Sequence, residues 1–159
     1  MKANFPVALK LTLKYEGGFV NNPHDPGGAT NMGITIATLS HELGRQATVN
    51  DVRNMSKDTA SEIYRKKYWL TIGGDFLPSG VDILAFDIAV NSGPGRALQW
   101  LKECHGQTPS QQVAYLDKRR RNFYRALKTF AYFGRGWMAR ENDLHGHALA
   151  LLEPTHAVA

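Results

Sequence analysis

The sequence predicts a mainly α-helical protein with a small glycine-rich loop or β-hairpin near its N-terminus. Apolar residues recur at helical spacings over most of the chain. Residues 81–90, "VDILAFDIAV", are apolar at eight of ten positions, which is too long for an average strand and favours a central buried helix. Residues 19–35 are rich in glycine and proline, which break a helix, so they predict turns or a short irregular hairpin.

Capping residues predict where the helices begin and end. Pro6 suits the first position of a helix over 6–15, which Gly17 and Gly18 stop. Thr35 can cap a helix that runs to Leu43 and ends at Gly44. Further helices are expected to begin near Thr48 and Asp51, to follow a Ser56 cap to about Trp69, and to cover 81–90, 96–104, 110–130 and 137–152.

Length and charge limit the possible functions. At 159 residues the chain suits one domain, and its single cysteine excludes an intramolecular disulfide. A net charge of +5 favours polyanionic partners, among which nucleic acid, anionic lipid and bacterial cell wall all fit. The N-terminal segment predicts no secretory signal, and no apolar run approaches the length of about eighteen residues that a membrane span needs.

Two carboxylates stand close together in "YEGGFVNNPHDPGGATNMGIT", residues 15–35. Glu16 lies in the apolar arc at the C-terminal end of the first predicted helix, where the helix dipole and apolar neighbours disfavour a charged carboxylate. Asp25 lies in a polar loop and should stay ionised. One carboxyl group that tends to keep its proton beside one that stays ionised is typical of a general acid and its partner in glycosidic bond cleavage. The alternative is a surface residue at a helix end and an ordinary turn aspartate.

This segment resembles the signature of the family 108 glycoside hydrolases, the N-acetylmuramidases of phage endolysins and bacterial secretion activators. Later blocks, "YRKKYW", "FDIAVNSGPGRA" and "FGRGWMAR", also resemble family blocks in the same order, so the likeness covers essentially the whole chain. The resemblance implies a lysozyme-like helical fold. It also implies hydrolysis of the β-1,4 bond between N-acetylmuramic acid and N-acetylglucosamine, with Glu16 as the catalytic residue.

Phage-type lysozymes offer a second comparison for the remaining site residues. Their catalytic set is a glutamate, an aspartate nine residues later and a threonine near a Gly-Ile pair, a pattern similar to Glu16, Asp25 and Thr30. Thr35 is the rival for the threonine position. Either hydroxyl could hold the attacking water together with Asp25.

Further residues are expected to bind the sugar. Aromatic faces stack on sugar C–H groups and amides bond N-acetyl groups, which predicts a groove lined by the following residues: Asn22, Thr35, Tyr68, Trp69 and Asn91. Core packing is the alternative for the aromatic residues.

Other charged residues predict structural roles. Asp82 and Asp87 lie in the apolar helix, so each is expected to pair with a basic or hydrogen-bonding group, with Arg96 or Arg119 as partners. The run from Lys118 to Arg121 predicts a solvated helix face. His145 and His147 do not share a helix face, and we expect neither a metal nor a cofactor.

The prediction as a whole is one lysozyme-like domain over 1–159, with a muramidase motif region at 1–95 and a C-terminal helical, wall-associated portion at 96–159 packed on it. We expect a monomer made in the cytoplasm that acts on peptidoglycan glycan strands in the periplasm, with a holin or a secretion partner for release. No membrane span and no specific nucleic acid partner are expected. The rival functions are a catalytically silent wall-binding or export module of the same fold and a basic nucleic-acid binder.

Overall fold

A computed structural model describes residues 2–22 and 27–152 of the chain. It is mainly helical, as the sequence predicts, with one small antiparallel sheet. The strands are β1 (Thr30–Asn31) and β2 (Ile34–Thr35). A 3-10 turn (Lys2–Asn4) precedes the first helix, and a π-helical turn (Arg65–Trp69) follows the fourth. The helices are α1 (Phe5–Leu13), α2 (Ile36–Leu43), α3 (Val49–Arg53), α4 (Lys57–Tyr64), α5 (Val81–Ser92), α6 (Pro94–Glu103), α7 (Pro109–Arg125) and α8 (Phe130–Leu152).

The predicted capping residues of α2, α3 and α4 are confirmed. The Thr35 hydroxyl accepts a hydrogen bond from the Thr38 backbone N–H, and Gly44 ends α2 with a left-handed φ of 64°. Thr48 and Asp51 form a capping box at the start of α3. The Ser56 hydroxyl caps α4. These contacts lie within one turn of sequence, which is why a local pattern predicts them.

The last helix begins seven residues earlier than the predicted 137, at Phe130. Gly134 and Gly136 disfavour a helix by about 1 kcal/mol each relative to alanine. Aromatic packing opposes that cost. The Phe130 ring covers Gly134 so closely that a Cβ there would lie 2.6 Å from a ring carbon, and Trp137 stacks on Tyr124 with ring centroids 5.1 Å apart.

Residues 9–67 form one of two compact units of the chain. This unit holds the β-hairpin and α2, α3 and α4. The Asn31 side chain ties β1 to the end of α3 by donating to the carbonyl oxygens of Val52 (3.0 Å) and Arg53 (3.3 Å). Because these bonds satisfy a buried amide, they fix where the hairpin lies against α3.

The other unit contains residues 1–8 and 68–159, of which 2–8 and 68–152 are described. Its centre is α5, whose residues Val81 to Ala89 are all buried. Helices α6, α7 and α8 pack around α5. The chain passes between the two units at residues 8 and 9 and again at residues 67 and 68. The single domain, with a motif region at 1–95 and a C-terminal portion at 96–159, stays a prediction.

Four buried ionisable side chains lie where α5, α7 and α8 meet. Arg140 forms a two-pronged pair with Asp87, with nitrogen–oxygen distances of 2.7 and 3.0 Å, and Arg120 Nη2 donates to the same carboxylate at 2.6 Å. Glu141 Oε2 lies 2.9 Å from Arg120 Nη1, without the geometry of a hydrogen bond. The pairing of Asp87 agrees with the expectation that a buried acid in this helix is compensated.

The partners of the two aspartates differ from those predicted. Asp87 binds Arg120 and Arg140, whereas Arg119 pairs with Glu103 on the surface and Arg96 lies over the ring of Phe123. The expected solvated face at 118–121 is therefore wrong at Arg120, whose side chain is fully buried. Helical periodicity turns every third or fourth residue of α7 inward, so a run of four cations cannot share one solvated face.

Asp82 accepts hydrogen bonds from a side-chain amide and from a backbone N–H. Its Oδ2 accepts a hydrogen bond of 2.8 Å from the Asn4 side chain, and its Oδ1 accepts one from the Ile83 backbone N–H. Within residues 2–22 and 27–152 no helix is both long and apolar enough to cross a membrane.

The buried Glu141 makes the stability of the protein depend on pH. Burial raises its pKa from 4.5 to about 7, against the opposing effect of Arg120. The folded state therefore keeps a proton that the unfolded state loses, so this group's contribution to stability falls as pH rises from 4.5 to 7. Relative to Glu141→Gln, the free energy of unfolding of the wild type should fall by at most about 3 kcal/mol over this window.

Urea unfolding at several pH values between 5 and 8 measures this slope. Glu62→Gln is the matched control, because the Glu62 side chain is 70% exposed. Equal slopes in the wild type and in Glu141→Gln would contradict the prediction.

Candidate active site

The β-hairpin carries an unusual turn. Thr30 pairs with Thr35 and Asn31 pairs with Ile34, which leaves Met32 and Gly33 as a two-residue loop. Their φ angles are 48° and 73°, as in a type I′ turn. A left-handed conformation costs a non-glycine residue roughly 1–2 kcal/mol, so Met32 must be held by its surroundings.

Tyr64 provides that restraint. It is buried at the end of α4, and its hydroxyl donates to the Met32 carbonyl oxygen at 2.8 Å. The bond joins the hairpin turn to a helix far away in sequence. Sequence analysis did not single out Tyr64, although it is the first residue of the "YRKKYW" block.

Glu16 lies beside the same turn. It lies three residues after the end of α1, and its backbone N–H donates to the Leu13 carbonyl oxygen at 3.2 Å. A Cβ on Gly33 would lie 2.8 Å from Glu16 Oε2 and 2.5 Å from Tyr64 Oη. The Glu16 carboxyl group and the Tyr64 phenol therefore both pack against Gly33, where a larger residue would not fit. The Glu16 residue stays partly exposed.

The two threonines lie opposite each other on one face of the hairpin. The Thr30 backbone also pairs with Val20, with both N–O distances at 2.8 Å, which places a third extended segment beside β1. The Thr35 hydroxyl accepts from the Thr38 N–H at 3.2 Å and donates to Thr38 Oγ1 at 3.1 Å. Thr35 thus uses its hydroxyl to begin α2.

Two other predicted residues precede the hairpin in the sequence. Asn22 is exposed. Asp25 lies outside the described residues, so its role stays a prediction.

The remaining predicted sugar-binding residues belong to the other unit. Trp69 is fully buried, its ring contacts Phe5 and Phe86, and its Nε1 donates to Asp75 Oδ1 at 2.7 Å. It therefore has no ring face for a sugar, and the core-packing alternative describes it. Tyr68 is half-buried. Asn91 is exposed near the end of α5, and its Oδ1 accepts from the Tyr124 hydroxyl at 2.9 Å.

A cavity of about 570 Å³ lies in the 9–67 unit. It contains the Lys66–Glu42 ion pair, and Lys67 Nζ donates to Thr38 Oγ1 at 3.2 Å. Its lining residues are Ala37, Thr38, His41, Glu42, Ile63, Lys66 and Lys67. Since no predicted catalytic residue lines it, the hairpin is the better candidate for the chemistry. In the described ranges, 2–22 and 27–152, His, Cys, Asp and Glu side chains form no group of three or more that could hold a metal ion.

Comparison with known proteins identifies the family. The profile of Glycosyl hydrolase 108 matches residues 9–93, which is more than half of the chain. The chain belongs to glycosyl hydrolase family 108. The matched segment contains Glu16, the hairpin, Tyr64 and Asn91, so the candidate residues of both units lie within it.

A solved structure extends the likeness to the rest of the chain. This family 108 protein is similar to SagA of Brucella abortus, with 36% identity, a TM-score of 0.82, and coverage of 98% of this chain and 99% of that one. No match was found among curated proteins. The family and the likeness to SagA support a lysozyme-like fold and a lysozyme-like function on peptidoglycan.

The contact between Gly33 and Glu16 gives a test by substitution. In Gly33→Ala the new Cβ would collide with the Glu16 carboxyl and with the Tyr64 hydroxyl. A displaced catalytic group can cost roughly 10²-fold in rate, so we expect a loss of that order in peptidoglycan hydrolysis. Turbidity loss of purified cell walls measures this rate.

Gly44→Ala is the matched control. Gly44 is also left-handed, at φ 64°, but a Cβ there meets nothing within 4 Å. Both variants should lose about 1 kcal/mol of stability from backbone strain, and Gly33→Ala should lose more because its Cβ also collides with Glu16 and Tyr64. A similar drop in activity in both would contradict a specific role for the Gly33 contact.

Proposed function

We propose that this protein cleaves the β-1,4 bond between N-acetylmuramic acid and N-acetylglucosamine in peptidoglycan, with Glu16 as the general acid. Its family and its likeness to SagA support hydrolysis of such a glycan. The observation that carries the assignment of Glu16 is the packing of its carboxyl group against Gly33, beside the Tyr64 hydroxyl.

The surroundings of Glu16 suit an acid that must transfer a proton along one direction. Gly33 leaves no room on one side of the carboxyl group, and Tyr64 is itself held by the Met32 carbonyl oxygen. A carboxyl group held in one orientation can lie within hydrogen-bond reach of the leaving oxygen in the transition state. The proton then passes from Glu16 to that oxygen as the glycosidic bond breaks.

Asp25 and Thr30 are proposed to act on the sugar that develops positive charge and on the water that attacks it. Asp25 would stabilise the oxocarbenium-like transition state, or hold the attacking water together with Thr30. The cap formed by Thr35 favours Thr30 for this role, because the Thr35 hydroxyl already has two contacts to Thr38. Asn22, Thr35, Tyr68 and Asn91 remain proposed substrate-binding residues.

The biological setting is proposed from the family resemblance. The enzyme would be a monomer without a cofactor that acts on the wall in the periplasm, in phage lysis or in protein export. A holin or a secretion partner would provide its release. The alternative function is a catalytically silent peptidoglycan-binding or export module of the same fold.

Glu16→Gln tests the catalytic proposal. The amide keeps the shape of the side chain but has no acidic proton, so we expect the rate to fall about 10²- to 10⁴-fold. New reducing ends released from purified peptidoglycan measure this rate. Glu62→Gln, the same substitution at an exposed helix position, should retain wild-type activity.

The outcomes separate the two functions. If the wild type releases no reducing ends but sediments with peptidoglycan, the silent module is correct. If Glu16→Gln cleaves as fast as the wild type, Glu16 is not the acid.

Thr30→Ala and Thr35→Ala distinguish the two threonines. Thr30→Ala should lower kcat while leaving urea unfolding close to wild type. Thr35→Ala removes a helix cap and should cost about 1 kcal/mol in the free energy of unfolding. The opposite pattern, with the larger loss of kcat in Thr35→Ala, would assign the water-holding role to Thr35.

A further inference from the structure

Asn91 does not stand alone at the end of α5. Its Oδ1 accepts a hydrogen bond of 2.9 Å from the Tyr124 hydroxyl of α7, and that hydroxyl in turn lies 2.9 Å from Arg120 Nε. Arg120 is held in place by Asp87. A chain of hydrogen bonds therefore runs from the buried charges to an exposed amide.

The direction of these hydrogen bonds is determined by chemistry. Arg120 Nε can only donate, so the Tyr124 oxygen accepts from it. Burial raises the pKa of Tyr124, which keeps its hydroxyl protonated at neutral pH. The single hydroxyl hydrogen is then directed to Asn91, which must present its oxygen to Tyr124.

It follows that the other end of the amide faces outward. Asn91 is exposed, and within the part of the chain that the structure describes its Nδ2 has no protein partner. The site thus presents an N–H donor to solvent in a fixed orientation. Without the Tyr124 hydroxyl, the two ends of the amide could exchange places.

We propose that Tyr124 is a positioning residue that orients Asn91 to donate a hydrogen bond to the acetamido carbonyl oxygen of a bound amino sugar. The inference rests on the proposed function, since peptidoglycan sugars carry such groups. A neutral amide donor suits a neutral carbonyl, whereas a carboxylate is bound more strongly by a cationic donor.

The rigidity of Tyr124 suits it for this role. Its ring is buried and stacks on Trp137, and its hydroxyl has one donor and one acceptor as partners. A side chain held in this way loses little further freedom when a ligand binds to Asn91, so the orientation is in place before binding.

Asn91→Asp tests the polarity of the site. It keeps an oxygen for Tyr124 and replaces the outward donor with an acceptor. On native peptidoglycan we expect KM to rise by about three- to tenfold, the usual effect of one hydrogen bond, with kcat nearly unchanged. On chemically de-N-acetylated peptidoglycan, where a cationic amine replaces the acetamido carbonyl, the KM advantage of the wild type over Asn91→Asp should disappear or reverse.

Tyr124→Phe tests the positioning role. It should raise KM, as Asn91→Asp does. Combined with Asn91→Asp, it should raise KM no further, because Tyr124 acts through Asn91. If Tyr124 had only a structural role, Tyr124→Phe would raise KM by the same factor in the wild type and in Asn91→Asp. Tyr132→Phe, which removes the hydroxyl of a residue of the same unit that is 83% exposed, is the control and should behave like the wild type.

Calorimetric binding of an N-acetylglucosamine oligomer to Glu16→Gln protein separates this inference from the proposed function. Weaker binding on adding Asn91→Asp or Tyr124→Phe supports the inference even if the wild type hydrolyses no peptidoglycan. Equal binding in all three proteins overturns the inference even if hydrolysis is confirmed, as does a KM unchanged by Asn91→Asp.

Discussion

The pairing of Asp87 with two arginines is the interaction on which the larger unit depends. Three helices meet at this carboxylate, since α5 provides Asp87, α7 provides Arg120 and α8 provides Arg140. Removing charges from water is costly, so such a cluster forms only where every partner is in place. Loss of one partner from a buried pair typically costs about 3–5 kcal/mol. The cluster therefore fixes the relative positions of these helices and, through Tyr124, the orientation of Asn91.

The smaller unit depends on a different constraint, a strained turn. Met32 adopts a left-handed conformation that only its surroundings can maintain, and the Tyr64 hydroxyl holds its carbonyl oxygen. Gly33 allows the Glu16 carboxyl group to approach the same turn. Strain of this kind often lies at functional sites, because a tightly determined backbone also determines where nearby reactive groups point.

Local features were predicted well, and features that depend on distant contacts were not. The caps at Thr35, Thr48 and Ser56 were predicted because each is a contact within one helical turn. The start of α8 was wrong, because rings packed on Gly134 and Trp137 outweigh the low helix propensity of glycine. Arg120 was expected on a solvated face, and Trp69 was expected in a sugar groove or, alternatively, in the core; both are buried. Residue type alone does not determine whether a large side chain faces the core.

By itself, the sequence determined the helical class, the helix caps, the family likeness and Glu16 as the residue to test. The tertiary structure alone decided which groups meet. Tyr64 contacts Met32 across 32 positions, and Arg140 contacts Asp87 across 53. No local periodicity encodes such pairs, because they form only when separate helices pack and exclude water from the charges between them.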